Sequence, residues 1–130
     1  VINVWVSDRT DNWSLGWHIG SLDLSALIAY KLKKNWNANL RLIMVIKDPE
    51  EEGNAYQFLE TLINLARLPR THTEVFVGDF KQIVTSAPPA DLNVFGMGDE
   101  PDFEFFEKMT IQTKSTCLFV KNSGHESILA

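Results

Sequence analysis

The sequence predicts an α/β domain built on a five-stranded, doubly wound parallel sheet. Three observations lead there. Short β-rich runs alternate with helix-patterned segments along the whole chain, in the order β-α-β-α-β-α-β-α-β. The stretch Leu40 to Ile46 is almost continuously apolar, with Arg41 the exception, and such a run suits a strand covered on both faces. Parallel pairing needs a crossover after every strand, and right-handed helical crossovers place helices on both sides of the sheet.

Ile2 to Val6 is the first β-rich run. Ser7 to Gly20 is polar, but Trp13, Leu15, Trp17 and Ile19 alternate through it, a period of two that suits a short extended segment. Ser21 or Asp23 is placed to cap the helix that follows. Leu24, Leu27, Ile28, Leu32 and Trp36 give that helix one apolar stripe, and Asn37-Ala-Asn39 ends it. Leu40–Ile46 is the second strand. The acidic loop at Asp48 to Glu52 precedes a helix whose dipole favours it. Ala55, Phe58, Leu59, Leu62, Ile63 and Ala66 follow the helical template closely, and Pro69 stops the helix. Thr73–Val77 is the third strand, Asp79 to Thr85 a short helix, and Pro88-Pro89 a break. Leu92–Phe95 is the fourth strand. Phe103, Phe106, Met109 and Thr110 mark the last helix, and Thr116–Lys121 the fifth strand.

A chain of 130 residues with 45% apolar side chains can build one self-sufficient core, so residues 1–130 read as a single domain. The net charge of −5 argues against nucleic acid or anionic lipid as partner, because both demand a basic surface. Lys31, Lys33 and Lys34 form the one basic cluster and read as a solvated helix end. A single cysteine, Cys117, allows no internal disulfide and fits a reducing compartment. No apolar run approaches the roughly 18 residues of a membrane span. The chain starts at Val1 rather than Met, as an excised part of a longer protein would.

Ligands of doubly wound folds sit outside the carboxyl ends of the strands. Here that rim is acidic. Gly96-Met97-Gly98 could suggest a phosphate loop, but Asp99, Glu100 and Asp102 follow it, and carboxylates repel phosphate. Asp8, Asp48, Asp79 and Asp99 each follow a strand, and oxygen ligands suit magnesium or calcium; turn and cap duties explain the same residues without a metal. His18, His72 and His125 lack ligand spacing and read as surface residues, and Cys117 reads as a small core hydrophobe. No nucleophile elbow, Cys-x-x-Cys pair or Walker loop is present. The expectation is no catalytic residue, no cofactor and no metal. Phe105 lies about 200° around the last helix from Phe103, which puts Phe103 and Phe106 on one face and Phe105 and Met109 on another. Phe105, Met109, Trp13 and Trp17 are therefore the candidates for an interface.

Several stretches resemble the cytosolic carboxyl-terminal domain of the cation–chloride cotransporters. Ile2-Asn3-Val4-Trp5-Val6 resembles that family's Ile-Asp-Val-Trp-Trp strand, and Leu27 to Leu32 is similar to its Leu-Ile-Pro-Tyr-Leu-Leu helix, with Ala29 in place of the proline. Lys33-Lys34-Asn35-Trp36 followed by Leu40-Arg41-Leu42-Ile43 resembles Lys-Lys-x-Trp and then Ile-Arg-Val-Phe. Leu118 to Leu129 is similar to the family's closing Leu-Leu-Val-Arg-Gly-Asn-x-x-x-Val-Leu. The matches run in order along nearly the whole chain.

The resemblance implies the terminal subdomain of that tail, with a fold similar to universal stress proteins. It implies a non-catalytic, regulatory and dimer-forming role at the cytoplasmic face of the plasma membrane. The partners implied are a sister tail, the other half of the tail and the parent's own transmembrane domain. The short link from Gly78 to Ala87, where animal members carry a long insertion, suggests a compact prokaryotic or archaeal member. The alternative is a free-standing universal-stress-type nucleotide binder. That family's Gly-x-x-Gly-(about nine)-Gly-Ser/Thr pattern is broken here, with Gly98 one place early and Lys114-Ser115 where the Gly-Ser pair belongs. A flavodoxin- or receiver-like module would place Asp79 and Lys121 suitably but lacks the paired carboxylates after Val6.

Overall fold

Five parallel strands form one sheet: β1 (Ile2–Val6), β2 (Leu40–Ile46), β3 (Thr71–Val77), β4 (Leu92–Gly96) and β5 (Thr116–Val120). The structure, a computed structural model, describes residues 1–6, 21–96 and 102–121. The strand order is β3-β2-β1-β4-β5, so the chain builds outward from β1 to one edge, returns, and builds to the other. Helices α1 (Ser21–Trp36), α2 (Glu52–Ala66), α3 (Phe80–Ser86) and α4 (Phe103–Thr113) make the crossovers. This is the doubly wound parallel sheet that the alternation predicts. Flavodoxin- and receiver-type sheets run 2-1-3-4-5 instead, so the strand order removes that reading.

Period-two alternation sorts the side chains of the sheet into two cores. Ile2, Val4 and Val6 of β1, Leu40, Leu42, Met44 and Ile46 of β2, and Leu92 and Val94 of β4 face α1 and α2. Those helices answer with Ala29, Ala55, Phe58, Leu59 and Leu62. On the opposite face Trp5, Ile43, Val45 and Phe95 meet Val84 of α3 and Met109 of α4. One core is mainly aliphatic. The other is aromatic: Trp5 stacks on its in-register neighbour Phe95 at 5.8 Å. Phe95 stacks on Phe119 at 5.3 Å, and Phe119 on Phe106 at 4.3 Å. All of β1 is buried, as a central strand requires.

The boundaries show what fixes each element. β3 starts at Thr71, two residues before the apolar signal, because Thr71 and His72 pair with Leu40 and Arg41 across the ladder. Asp48 accepts from the Glu50 N–H at 2.9 Å and opens the 3-10 turn Pro49–Glu51 that leads into α2. α2 ends where Arg67 turns left-handed at φ 53°, with the N–H of Leu68 bonded to the Ile63 carbonyl, and Pro69 prevents continuation. β5 lies at an edge, so Cys117 is only half-buried rather than deep in a core.

Candidate functional site

The carboxyl edge of the sheet holds a concavity of about 350 Å³ over the aromatic face. Trp5, Phe80, Phe95 and Phe105 wall it, Val45 contributes from β2, and Lys47 is the single charged side chain among its described lining residues. The location, between β1 and β4 where the winding reverses, is where doubly wound folds take ligands. The chemistry is apolar. Phosphate groups would find one ammonium here, and Asp102 is already engaged in capping α4 through the Phe105 N–H at 3.0 Å.

The candidate metal ligands part company in the structure. Asp48 caps the turn before α2, and Asp79 caps α3 by accepting from Gln82 N–H at 3.3 Å. Each carboxylate thus has the turn-forming duty that its residue type favours. Asp8 and Asp99 lie outside the described residues. Among the described residues no three His, Cys, Asp or Glu side chains gather as a metal would need. His72 is exposed on β3; His18 and His125 lie outside the described residues. The Cys117 thiol sits 3.2 Å from the Thr113 hydroxyl.

The interface candidates also separate. Trp13 and Trp17 lie outside the described residues. Met109 is fully buried with Trp5, Ile43 and Phe95, so in this fold it is a core residue of its own chain. Phe105 is half-buried and stacks against Phe80 at 6.2 Å. The open aromatic of α4 is Phe103, 75% exposed, with Ile111 further along the helix. The reason is positional: α4 turns its Phe105–Met109 face to Phe95 and Phe80, leaving Phe103 to solvent.

One group was not legible in the sequence. Lys33, in the last turn of α1, is not solvated like Lys31 and Lys34 but is 3% exposed. It continues the buried row of Ala26 and Ala29 along α1, the i, i+3, i+7 spacing of a buried face. Its Nζ has no hydrogen-bond partner. Burial, and then the nearby charge of Arg70, lower its pKa. The spacing from Ala26 through Ala29 to Lys33 was the available signal; three neighbouring lysines masked it.

The chain can now be set beside known proteins. The family model described as "Prokaryotic cation-chloride cotransporter, C-terminal domain, 2nd" matches residues 1–129. A crystal structure of the cytoplasmic domain of a prokaryotic cation chloride cotransporter superposes with a TM-score of 0.87 at 31% identity. That likeness covers 98% of this chain and 48% of the other, so the chain spans about half of the solved domain. A search of curated proteins found no match. No helix among the described residues is long and apolar enough to cross a membrane. With its strand order, its sequence and its backbone all following one pattern from end to end, the chain belongs to the family of second C-terminal domains of prokaryotic cation-chloride cotransporters.

Proposed function

We propose that this chain is the cytosolic regulatory and dimerisation domain of a cation–chloride cotransporter-like secondary transporter, and that it performs no catalysis. The observation that carries the reading is the family match along residues 1–129, together with the superposition on a cytoplasmic domain. In this reading the domain lies at the cytoplasmic face of the plasma membrane. The match covers about half of the related domain, and in this reading the other half of the tail is the immediate neighbour. The sister tail and the transmembrane domain complete the set of partners.

A regulatory domain works by offering surfaces, and aromatic anchors supply most of the binding energy of such surfaces. Trp13, Trp17 and the half-buried ring of Phe105 are the proposed anchors, while Met109 lies in the core of its own chain. Weak pairing of the isolated domain is expected, because the membrane-tethered parent adds effective concentration.

The test is made on the parent transporter in proteoliposomes, with and without this domain, by chloride-dependent cation flux and by cross-linking. Loss of dimers, or a changed flux, on deletion supports the reading. Unchanged flux and unchanged dimers end it. Sedimentation of the chain itself, from micromolar to millimolar concentration, tests the anchors. Phe105→Ala and Trp17→Ala are expected to weaken association while the fold stays intact. A chain that remains monomeric throughout removes the self-pairing.

A further inference from the structure

We propose that the aromatic concavity at the carboxyl edge of the sheet is a binding site for a small aromatic acid, a planar ring system carrying one carboxylate. The ends of four strands meet there. Val6 of β1 and Gly96 of β4 line it, and so do Lys47 and Gly78, the residues just past β2 and β3. Its volume of about 350 Å³ falls within the roughly 300–1,000 Å³ of small-molecule pockets.

The floor is preformed. Trp5, Val45 and Phe95 are buried, and Asn93 already holds the indole N–H of Trp5 at 3.0 Å. The indole therefore offers the cavity apolar surface and no donor. The rings around it favour a flat partner. Trp5 and Phe95 run nearly parallel, 7° apart. Phe80 stands across Trp5 at 78°, and Phe105 stands across Phe95 at 83°. Ring planes in two perpendicular orientations thus bound the cavity. A planar ring entering it meets a face on one side and an edge on another, the two arrangements that aromatic pairs prefer. An aliphatic group of the same size gains the burial without the ring geometry.

Charge sets the rest of the ligand. Lys47 is the single charged side chain among the described lining residues. It is exposed at the rim and forms no ion pair among the described residues. The neighbouring carboxylates, Asp48 and Asp79, accept instead from the N–H groups of Glu50 and Gln82. A ring seated on the floor brings a short acid arm to the ammonium, which donates to it. One ammonium balances one carboxylate but not the nearly double charge of a phosphate monoester, which separates this ligand from a nucleotide.

The site does not rest on the transporter reading, and its test leaves Phe105, a proposed pairing anchor, unvaried. The chain is titrated with naphthylacetate and followed by calorimetry and amide NMR. Saturable binding is expected, with shifts centred on residues 5–6, 45–47, 78–80 and 95–96. Lys47→Gln, a change at an exposed side chain, is expected to weaken the acid about fivefold. It is expected to leave naphthylacetamide, which keeps the ring and lacks the charge, unchanged. The saturated decahydro analogue of the acid is expected to bind about threefold more weakly or worse. Phe80→Leu is expected to weaken acid and amide alike, with thermal unfolding showing that both variants are folded. No saturable binding at millimolar concentration overturns the proposal. So does an acid that binds Lys47→Gln as well as the wild type, or a saturated analogue as tight as the aromatic one. Adenosine monophosphate binding more tightly than the acid would assign the cavity to a nucleotide and overturn it too.

Discussion

The indole N–H of Trp5 donates to the Oδ1 of Asn93 at 3.0 Å, joining the two central strands through their side chains. The same oxygen accepts from Asn3 at 3.2 Å, and the Asn93 amide donates to the Ser115 hydroxyl at 2.6 Å. Arg41 donates to the Oδ1 of Asn3 at 3.1 Å. A polar knot thus ties β1, β2 and β4 to the start of β5 beneath the aromatic face. Asn3 and Asn93 are both buried, and the knot gives each its partners.

Asn93→Ala leaves the indole N–H without its acceptor inside the core, while the Asn3 amide keeps the Pro88 carbonyl. The expected loss is about 2–4 kcal/mol, from one buried donor left unmet and the bonds given up with it. Urea unfolding measures it. Ser115→Ala, which removes only a half-buried hydroxyl, is expected to cost about 1 kcal/mol or less. Equal effects in the two variants would deny Asn93 its central place.

Met109 and Phe103 provide a contrast within one helix. Met109→Ala opens a cavity against Trp5 and Phe95 and is expected to cost about 2–5 kcal/mol. Phe103→Ala touches a ring that is 75% exposed and is expected to stay within about 0.5 kcal/mol. Denaturant midpoints decide. The reverse order would mean that α4 is rotated.

Lys33 makes stability depend on alkaline pH. Its pKa in the folded chain is held low, first by burial and then by Arg70. In the unfolded chain it returns to about 10.4. Between those two values the unfolded chain binds more protons, so stability rises as pH climbs through the window. Below the window both states are protonated and the burial cost is fully present. At neutral pH, Lys33→Met is therefore expected to stabilise by about 1 kcal/mol or more. It is also expected to flatten the alkaline rise. Urea midpoints across that pH range report both; a destabilised Lys33→Met would show that the ammonium is better solvated than its burial implies.

Asp79 and Asp102 each start a helix. Asp102→Ala removes the acceptor of the Phe105 N–H, and Asp79→Ala that of Gln82. About 1 kcal/mol is expected from each. Circular dichroism during denaturation gives the values, and additivity is expected because the two caps belong to different helices.

The strands were legible because burial on both faces writes itself as apolar runs, as in Leu40–Ile46. The start of β3 was not, because Thr71 and His72 owe their extended form to β2 rather than to their own residue types. The Asn3–Asn93 pair was invisible for a related reason. Two asparagines 90 positions apart look like turn residues until strand order sets them side by side. On α4 the spacing showed two apolar faces but not which one the sheet takes. The edge-to-face contact of Phe105 with Phe95 settles that. Trp13 and Trp17, the other proposed anchors, lie outside the described residues, and the period-two pattern of their stretch is the guide to them.

The place of β1, first in sequence yet central in the sheet, sets a timetable for folding. β1, α1, β2, α2 and β3 are neighbours along the chain and enclose most of the aliphatic core among themselves. β4 must then close on β1 across about 90 positions, and loop-closure entropy grows with that length. Long-range parallel pairing of this kind is slow. The docking of β4 is therefore the late event, and the half made by residues 1–77 precedes it. Changes at Asn93 or Phe95 then act mainly by hastening unfolding, while changes at Leu42 or Leu59 slow folding itself.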